Sequence, residues 1–445
     1  MGILELLAGI AAATGLVAGG AAWHRADRRR RVTARRDVAV ACGLTDVALG
    51  PAGGLTGRKG RLEVAMRPYR DQSRIGEGTR IVIGGLLPGL RLAQPGIGAR
   101  LWRALGERDL EVGDPGFDSA ALLHGPALEV RALFDATTRA AARTALEAFA
   151  SLTVERGQLT ADSDEATGGA RPRLVAADLE ILLDLARRLR PPETPQSRLA
   201  QIAHADPLAT VRAQALATLT ESEPRHPETR TALRAALTDA SPALRLQAAR
   251  ELGDEGASTL LALADDFAAG DALSAEALAA LGDRFTVEQA RRILQRAAVT
   301  DRAACARAAL AVVARGGAAE VAAIADVLAR SSEPIRAAAA AALGTIAAPS
   351  AIAPLRSALR AQSFVVAAAA ARALGSCGSA DEVEPLREVE ARGGDVGRAA
   401  REAVAAIQSR LSGATPGQVS LAGGDAGRVS VVDSPGGRVS LDGDA

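Results

Sequence analysis

The sequence predicts a mainly α protein. Its C-terminal half reads as an α-solenoid of stacked helix pairs, behind one N-terminal transmembrane helix and a small α+β domain. Three observations carry this. An Ala/Leu-rich motif recurs seven times after residue 196 with a mean spacing of 31 residues, an apolar run at residues 3–23 is followed directly by arginines, and short glycine-punctuated β-like runs lie between the two. A helical motif at this period is the signature of a repeat array.

Composition agrees. Hydrophobic residues make up 48% of the 445 positions but aromatic residues only 2%, so small aliphatic side chains must do the packing, which suits close-packed helices. Lys59 is the one lysine among 53 basic residues and Asn is absent, a pattern that reads as the codon bias of a GC-rich genome. With 52 acidic residues the net charge is +1, and this balance disfavours nucleic acid as a partner. Cys42, Cys305 and Cys377 lie far apart, and His24, His124, His204 and His226 form no metal-binding spacing, so neither a disulfide framework nor a metal site is indicated.

Residues 3–23 are long enough to span a bilayer, with Trp23 at the interface position and Arg25, Arg28, Arg29, Arg30, Arg31, Arg35 and Arg36 just after it. No positive charge precedes the run, whereas a secretory signal carries its charges in front. The expectation is therefore a single-pass anchor at residues 1–23 in a bacterial inner membrane, with the N-terminus outside and the bulk of the chain cytoplasmic. Cleavage within Ala18 to Ala22 is the alternative. Ala11, Gly15 and Gly19 form a small-residue stripe that would let two such helices pair as a homodimer. Residues 24–36 read as a basic juxtamembrane segment.

Residues 37–165 read as the α+β domain. LEVAM from Leu62, TRIVIGG from Thr79, LRLAQ from Leu90, DLEVGD from Asp109 and LTVERGQLTAD from Leu152 are strand-like, and helices are expected at 127–150. The segment Val112 to Gly125, with Leu133-Phe134-Asp135 and Thr138-Arg139, resembles a module found beside the membrane anchor in bacterial proteins of unassigned activity. That resemblance implies a fold and a placement but no chemistry. Gly113 to Gly116 reads as a turn and Phe117 as a core anchor. A linker at 166–172 precedes an amphipathic helix, residues 174–190, expected to cap the first repeat.

The repeats occupy residues 173–411. Aligning Leu219, Leu252, Leu281, Ala314, Leu343, Leu374 and Ala405 gives successive spacings of 33, 29, 33, 29, 31 and 31. Seven residues before these landmarks stand Arg212, Arg245, Arg307, Arg336 and Arg398, with Asp206, Asp239 and Asp301 a further six before; Ser274 and Ala367 replace the arginine in two copies. The order Asp, often Pro, Val-Arg, an alanine-rich helix and Leu-Gly is similar to the HEAT repeat in its short, lyase-type form. On helical rules, Asp opens the second helix of each pair and Gly closes it. The arginines read as a ladder to the aspartates, with a ligand-binding row as the alternative.

The tail, residues 412–445, repeats GQVSL, GRVSV and GRVSL, and its composition reads as disordered, with strands that dock on a partner as the alternative. The function these features favour is a membrane-anchored, cytoplasm-facing scaffold that binds partner proteins, of no readable identity. The resemblance also admits an enzyme, bilin-lyase-like or DNA-glycosylase-like, or a nucleic-acid-binding solenoid. Residues 196–410 hold no Trp or Tyr to stack a tetrapyrrole or a base, and Val82-Ile83-Gly84-Gly85 lacks phosphate-loop spacing. No catalytic residue, cofactor or metal ligand is assigned. Deleting residues 1–23 is expected to move the protein from the membrane to the soluble fraction; a periplasmic chain cleaved near Ala22 would overturn this topology. Gly15→Leu should weaken cross-linking between membrane-bound copies if the stripe pairs.

Overall fold

Period-two alternation builds a sheet in the first half of the chain. In β3 (Leu62–Arg70), Leu62, Val64 and Met66 are buried while Glu63 and Arg67 are exposed. The computed structural model describes residues 28–50, 53–70, 77–95, 109–149, 151–163 and 174–410. The expected anchor with Ala11, Gly15 and Gly19, the linker at 166–172 and the tail at 412–445 lie outside the described residues. The chain divides into two compact units, residues 1–244 and 245–445.

In the first unit a helix over residues 28–41 (α1) leads into β1 (Thr45–Leu49), β2 (Leu55–Lys59), β3 and β4 (Glu77–Gly84). There follow β5 (Arg91–Ala93), a single turn α2 (Pro115–Asp118), β6 (Leu122–His124), α3 (Ala127–Leu133), α4 (Ala136–Ala148), β7 (Ser151–Glu155) and β8 (Gln158–Ser163). The eight strands form one open antiparallel sheet in the order β1-β2-β3-β4-β8-β7-β5-β6. Arg80 on β4 faces Asp162 on β8 in register and grips it with two hydrogen bonds, 2.7 and 2.9 Å, while its guanidinium lies 4.0 Å from the Tyr69 ring.

Three expectations need correction here. DLEVGD is not a strand, because the Asp118 carboxylate takes the N–H groups of Val112 and Gly113, each at 3.0 Å, that a neighbouring strand would need. The amphipathic helix, α5 (Ala176–Arg188), caps no repeat: it packs on α4 and β4, and Leu179, Leu182, Leu183 and Leu185 join the core under the sheet. A leucine stripe fits either surface, so its pattern could not choose between them. Arg35, read as juxtamembrane charge, is 4% exposed and donates to the Thr79 hydroxyl at 3.1 Å and to the Gly53 carbonyl at 3.0 Å.

The first unit also contains α6 (Pro195–Ala205), α7 (Ala209–Ser222) and α8 (Pro227–Ala236). α3 packs on both α6 and α7, which explains why the chain does not divide at the expected linker.

After α9 (Pro242–Leu252), which straddles the division, the described residues of the second unit form five antiparallel helix pairs. They are α10 (Ala257–Asp265) with α11 (Asp271–Leu281), α12 (Val287–Val299) with α13 (Ala303–Val313), and α14 (Val321–Arg330) with α15 (Glu333–Ile346). The last two are α16 (Ile352–Leu359) with α17 (Phe364–Cys377) and α18 (Val383–Glu390) with α19 (Gly394–Arg410). Second helices pack on second helices from α11 to α19, and first helices on first helices from α12 to α18.

Leu-Gly closes a helix in only two copies. Gly253 and Gly282 take positive φ, +60° and +54°, just past α9 and α11. Gly344 and Gly375 instead lie inside α15 and α17, where an added Cβ would meet the Ala373 Cα at 2.8 Å and the Ala403 Cα at 2.9 Å. Those glycines set the distance between neighbouring second helices. Residues 303–330 are apolar enough for a membrane span by composition, but Gly317, at φ 64° and ψ −144°, breaks that stretch into the packed helices α13 and α14.

The Gly344 contact reaches 29 residues ahead and the Gly375 contact 28, so the last copy runs one residue short. The aligned landmark Ala405 is accordingly exposed, with Ala403 and Ile407 buried on either side. Leu343 is fully buried. Leu343→Asp is therefore expected to lower stability by several kcal/mol, and Gly375→Val by about 1–3 kcal/mol through overpacking, whereas Ala405→Asp should leave thermal melting by circular dichroism nearly unchanged.

Candidate functional site

The aligned charges do not form one continuous row. Arg212 on α7 pairs with Asp239 through two bonds of 2.7 and 2.8 Å, and it also ties back to the Asp206 carbonyl at 2.8 Å. Asp239 meanwhile accepts from the Ser241 N–H at 2.7 Å and so opens α9. Arg245 reaches Asp266 at 3.7 Å. Ser274, in an arginine position, is buried and donates to the carbonyls of Leu263 and Asp266.

Farther along, the pattern changes. Asp301 is exposed at φ 56° and opens no helix. Asp271 of the preceding pair does that work, accepting from the N–H groups of Ala304 and Cys305 at 2.9 and 2.8 Å. Burial and the Asp271 charge push the Cys305 thiol up to about 11, so it stays protonated at neutral pH. Arg336 donates to the Leu328 carbonyl at 2.9 Å. Arg398, displaced by the short last copy, is 60% exposed and pairs with Asp395 in its own helix, while Gly397 beside it is buried. Arg307 is exposed and makes no ion pair with any described residue.

Another arginine bound to aspartate stands outside the repeats. Arg139 on α4 is 3% exposed and donates to both oxygens of Asp206, at 2.8 and 3.1 Å, to Asp114 at 2.9 Å and to the Phe134 carbonyl at 3.0 Å. Burial opposes its charge, but the bonds it donates to Asp206 and Asp114 outweigh that and hold its pKa above the ordinary value. Asp114 is also the N-cap of α2, accepting from Gly116 and Phe117. Burial raises its carboxyl, and the Phe117 N–H and the Arg139 guanidinium together bring it below the usual aspartate range. Next to it Gly113, at φ 91°, leaves no room for a side chain, since a Cβ would meet the Thr210 carbonyl oxygen at 2.6 Å. Gly113 of the Val112–Gly125 motif thus meets the first turn of α7, where the Thr210 hydroxyl donates to the Gly113 carbonyl.

The surface best shaped to bind another molecule is in the second unit. Between α13 and α15 runs an apolar groove of about 510 Å³, floored by Leu310, Ala338 and Ala341, with Arg307 at one side and Val365 at the other. Alanine side chains are too short to close the gap between these two helices. Beside the groove, Phe364 and Val365 are 61% and 54% exposed at the start of α17, and the Arg392 guanidinium lies 5.0 Å from the Phe364 ring. Single exposed apolar residues are ordinary, but an adjacent pair at the lip of an apolar groove makes this a candidate contact surface. Among the described residues no group of three or more His, Cys, Asp or Glu could hold a metal ion.

The family model described as HEAT repeats matches residues 321–406, the span from α14 into α19. These three helix pairs are the part of the chain that matches HEAT repeats. No curated protein matches the chain. Among solved structures, human deoxyhypusine hydroxylase in complex with glycerol is similar at 17% identity over 48% of this chain and 96% of that one, with a TM-score of 0.23. A superposition that loose carries no argument about fold or activity.

Within and just before the HEAT segment, charge is matched by an arrangement that the alignment of aspartates missed. Arg291 on α12 binds Glu320 at 2.9 Å, and Arg356 on α16 binds Glu382 at 3.0 Å, each glutamate lying just ahead of the next first helix and under 5% exposed. The signal was Gly-x-x-x-Glu at Gly316 and Gly378, where a Cβ would meet the glutamate Cγ at 2.6 and 3.1 Å. Glycine there is what lets the glutamate fold inward.

Arg139→Met should cost about 3–5 kcal/mol in denaturant unfolding, because Asp206 would stay buried and unpaired; adding Asp206→Leu should restore part of that. Asp114 binds its proton less readily folded than unfolded. Its contribution is therefore complete above the unfolded value near pH 4 and is lost as pH falls through the lower folded value. Asp114→Asn should remove this part of the acid sensitivity.

Proposed function

We propose that the protein is a membrane-anchored, cytoplasm-facing scaffold whose HEAT-repeat solenoid binds a partner protein and does no chemistry. The observation that carries the reading is the apolar groove between α13 and α15 with the exposed Phe364-Val365 lip. A groove between parallel helices, walled by alanines, suits the apolar face of an amphipathic helix. Arg307 at its edge, unpaired among the described residues, suits a carboxylate on that helix. The anchor rests on the apolar run at 3–23 and the arginines behind it. Held at a membrane by one end, such an array would raise the local concentration of whatever it holds.

A photo-reactive residue introduced at Ala338 should cross-link one partner in cells, while the same group at Arg330, on the first helix of that pair, should not. Val365→Asp should reduce the cross-link at least about tenfold without changing helicity. Equal labelling at both positions, or a cross-link indifferent to Val365→Asp, would remove the groove as the binding surface.

A further inference from the structure

The first unit carries a second recess, unlike the groove in chemistry. It is a cleft of about 640 Å³ where the C-terminal end of α5, the N-terminal end of α6 and the turn between β2 and β3 converge. Five arginines line it, Arg61, Arg187, Arg188, Arg190 and Arg198, against two carboxylates, Asp184 and Glu193. The volume lies within the range of small-molecule sites.

Arg188 and Arg198 are already spoken for. Arg188 binds Asp184 at 2.9 Å and Arg198 binds Asp135 at 2.9 Å. Arg187 stands 3.9 Å from Asp184, at the far limit of an ion pair. Arg61 and Arg190 make no hydrogen bond or ion pair with any described residue. Three guanidinium groups thus face the single further carboxylate of Glu193, an excess of two positive charges in a concave site. Arginines at the end of α5 also suit the helix dipole, but Arg61 belongs to a hairpin turn, beside Gly60 at φ 60°, and that account does not reach it.

The floor of the cleft adds neutral donors. α6 starts at Pro195 with no side-chain cap on its N-terminus, and Ser197 in its first turn lines the cleft. Uncapped N–H groups of a first turn together with guanidinium forks are the donors that bind phosphate oxygens.

We propose that this cleft is a binding site for a phosphate dianion, held by Arg61, Arg187 and Arg190 with Ser197 and the first turn of α6. The dianion can belong to a free phosphorylated small molecule or to a lipid headgroup, since both present the same oxygens. The site is separate from the groove between α13 and α15 and does not depend on the scaffold reading.

The test uses the full-length protein in neutral detergent at physiological ionic strength, titrated calorimetrically with inorganic pyrophosphate and, in parallel, with dioctanoyl phosphatidic acid. Saturable binding of either probe is expected, weakened at least about tenfold by the double variant Arg61→Glu with Arg190→Glu. It should be unchanged in Arg330→Glu with Arg360→Glu, which makes the same charge change elsewhere. Binding of pyrophosphate alone assigns a free ligand, and binding of the lipid alone assigns a headgroup. Both variants should melt as the wild type does, because all four arginines lie outside the core. No saturable binding of either probe, or equal loss in the two double variants, would overturn the proposal.

Discussion

Alanine-rich helices bury little surface unless they come very close, and that constraint shapes the second unit. A buried methyl contributes much less than a leucine side chain, so a helix pair with alanine as its main apolar residue must make up in proximity what it lacks in size. Gly344 and Gly375 supply that proximity by bringing the backbones of neighbouring second helices against Ala373 and Ala403. Fully buried Ala339, Ala340, Ala370, Ala371, Ala399 and Ala400 then line the same seams. No pair could hide this face alone, which makes the stack a cooperative object.

The polar side of the packing is solved differently in different places, mostly with arginine. In the first unit Arg139 and Arg212 each reach forward to an aspartate that opens a later helix, Asp206 or Asp239, so one carboxylate both caps and locks. At Arg291 and Arg356 a buried glutamate takes the locking role, while Asp271 opens α13 and Ser363 opens α17. Arg392 and Arg410 dispense with a carboxylate altogether and bind carbonyls at helix ends, Leu359 and Gln362 for one, Gly375 and Gly378 for the other. A guanidinium serves all three because its five donors can meet a fork of oxygens or a row of carbonyls alike.

Much of the architecture was legible because it rests on periodicity. The period near 31, the helix pairs and the strands β3, β4, β7 and β8 follow from spacing alone. What misled was residue identity without context. Leu-Gly reads the same in all four copies that carry it, yet it ends α9 and α11 and lies inside α15 and α17, since only φ distinguishes a terminal glycine from one that admits a neighbour. Asp301 matches the aspartate spacing but was displaced by Asp271 from the pair before it, a contact across 33 residues that no local pattern records. The glutamates were missed for the opposite reason, because their marker is the glycine four residues earlier rather than the acid. The candidate groove was invisible, since it consists of what alanine leaves unfilled.

The groove and the close packing have one cause. Where α15 meets α17, and α17 meets α19, the Leu-Gly of the motif is present and the helices close on each other. At the corresponding place after α13 the chain has Ala314-Arg315, and the Arg315 side chain turns away to the Asp283 carboxylate at 2.9 Å. Without the glycine, α13 and α15 cannot approach as their neighbours do. With alanine lining both, neither can reach across the space that remains. The gap therefore falls at the one seam among these three where the motif lapses, directly under an exposed Phe364-Val365 pair that a fully closed stack would have no reason to display. A departure from the repeat that merely weakened the stack would leave a polar or collapsed surface. This one leaves an apolar slot with Arg307 at its rim, which is why the irregular copy, rather than the regular ones, is where we propose that a partner binds.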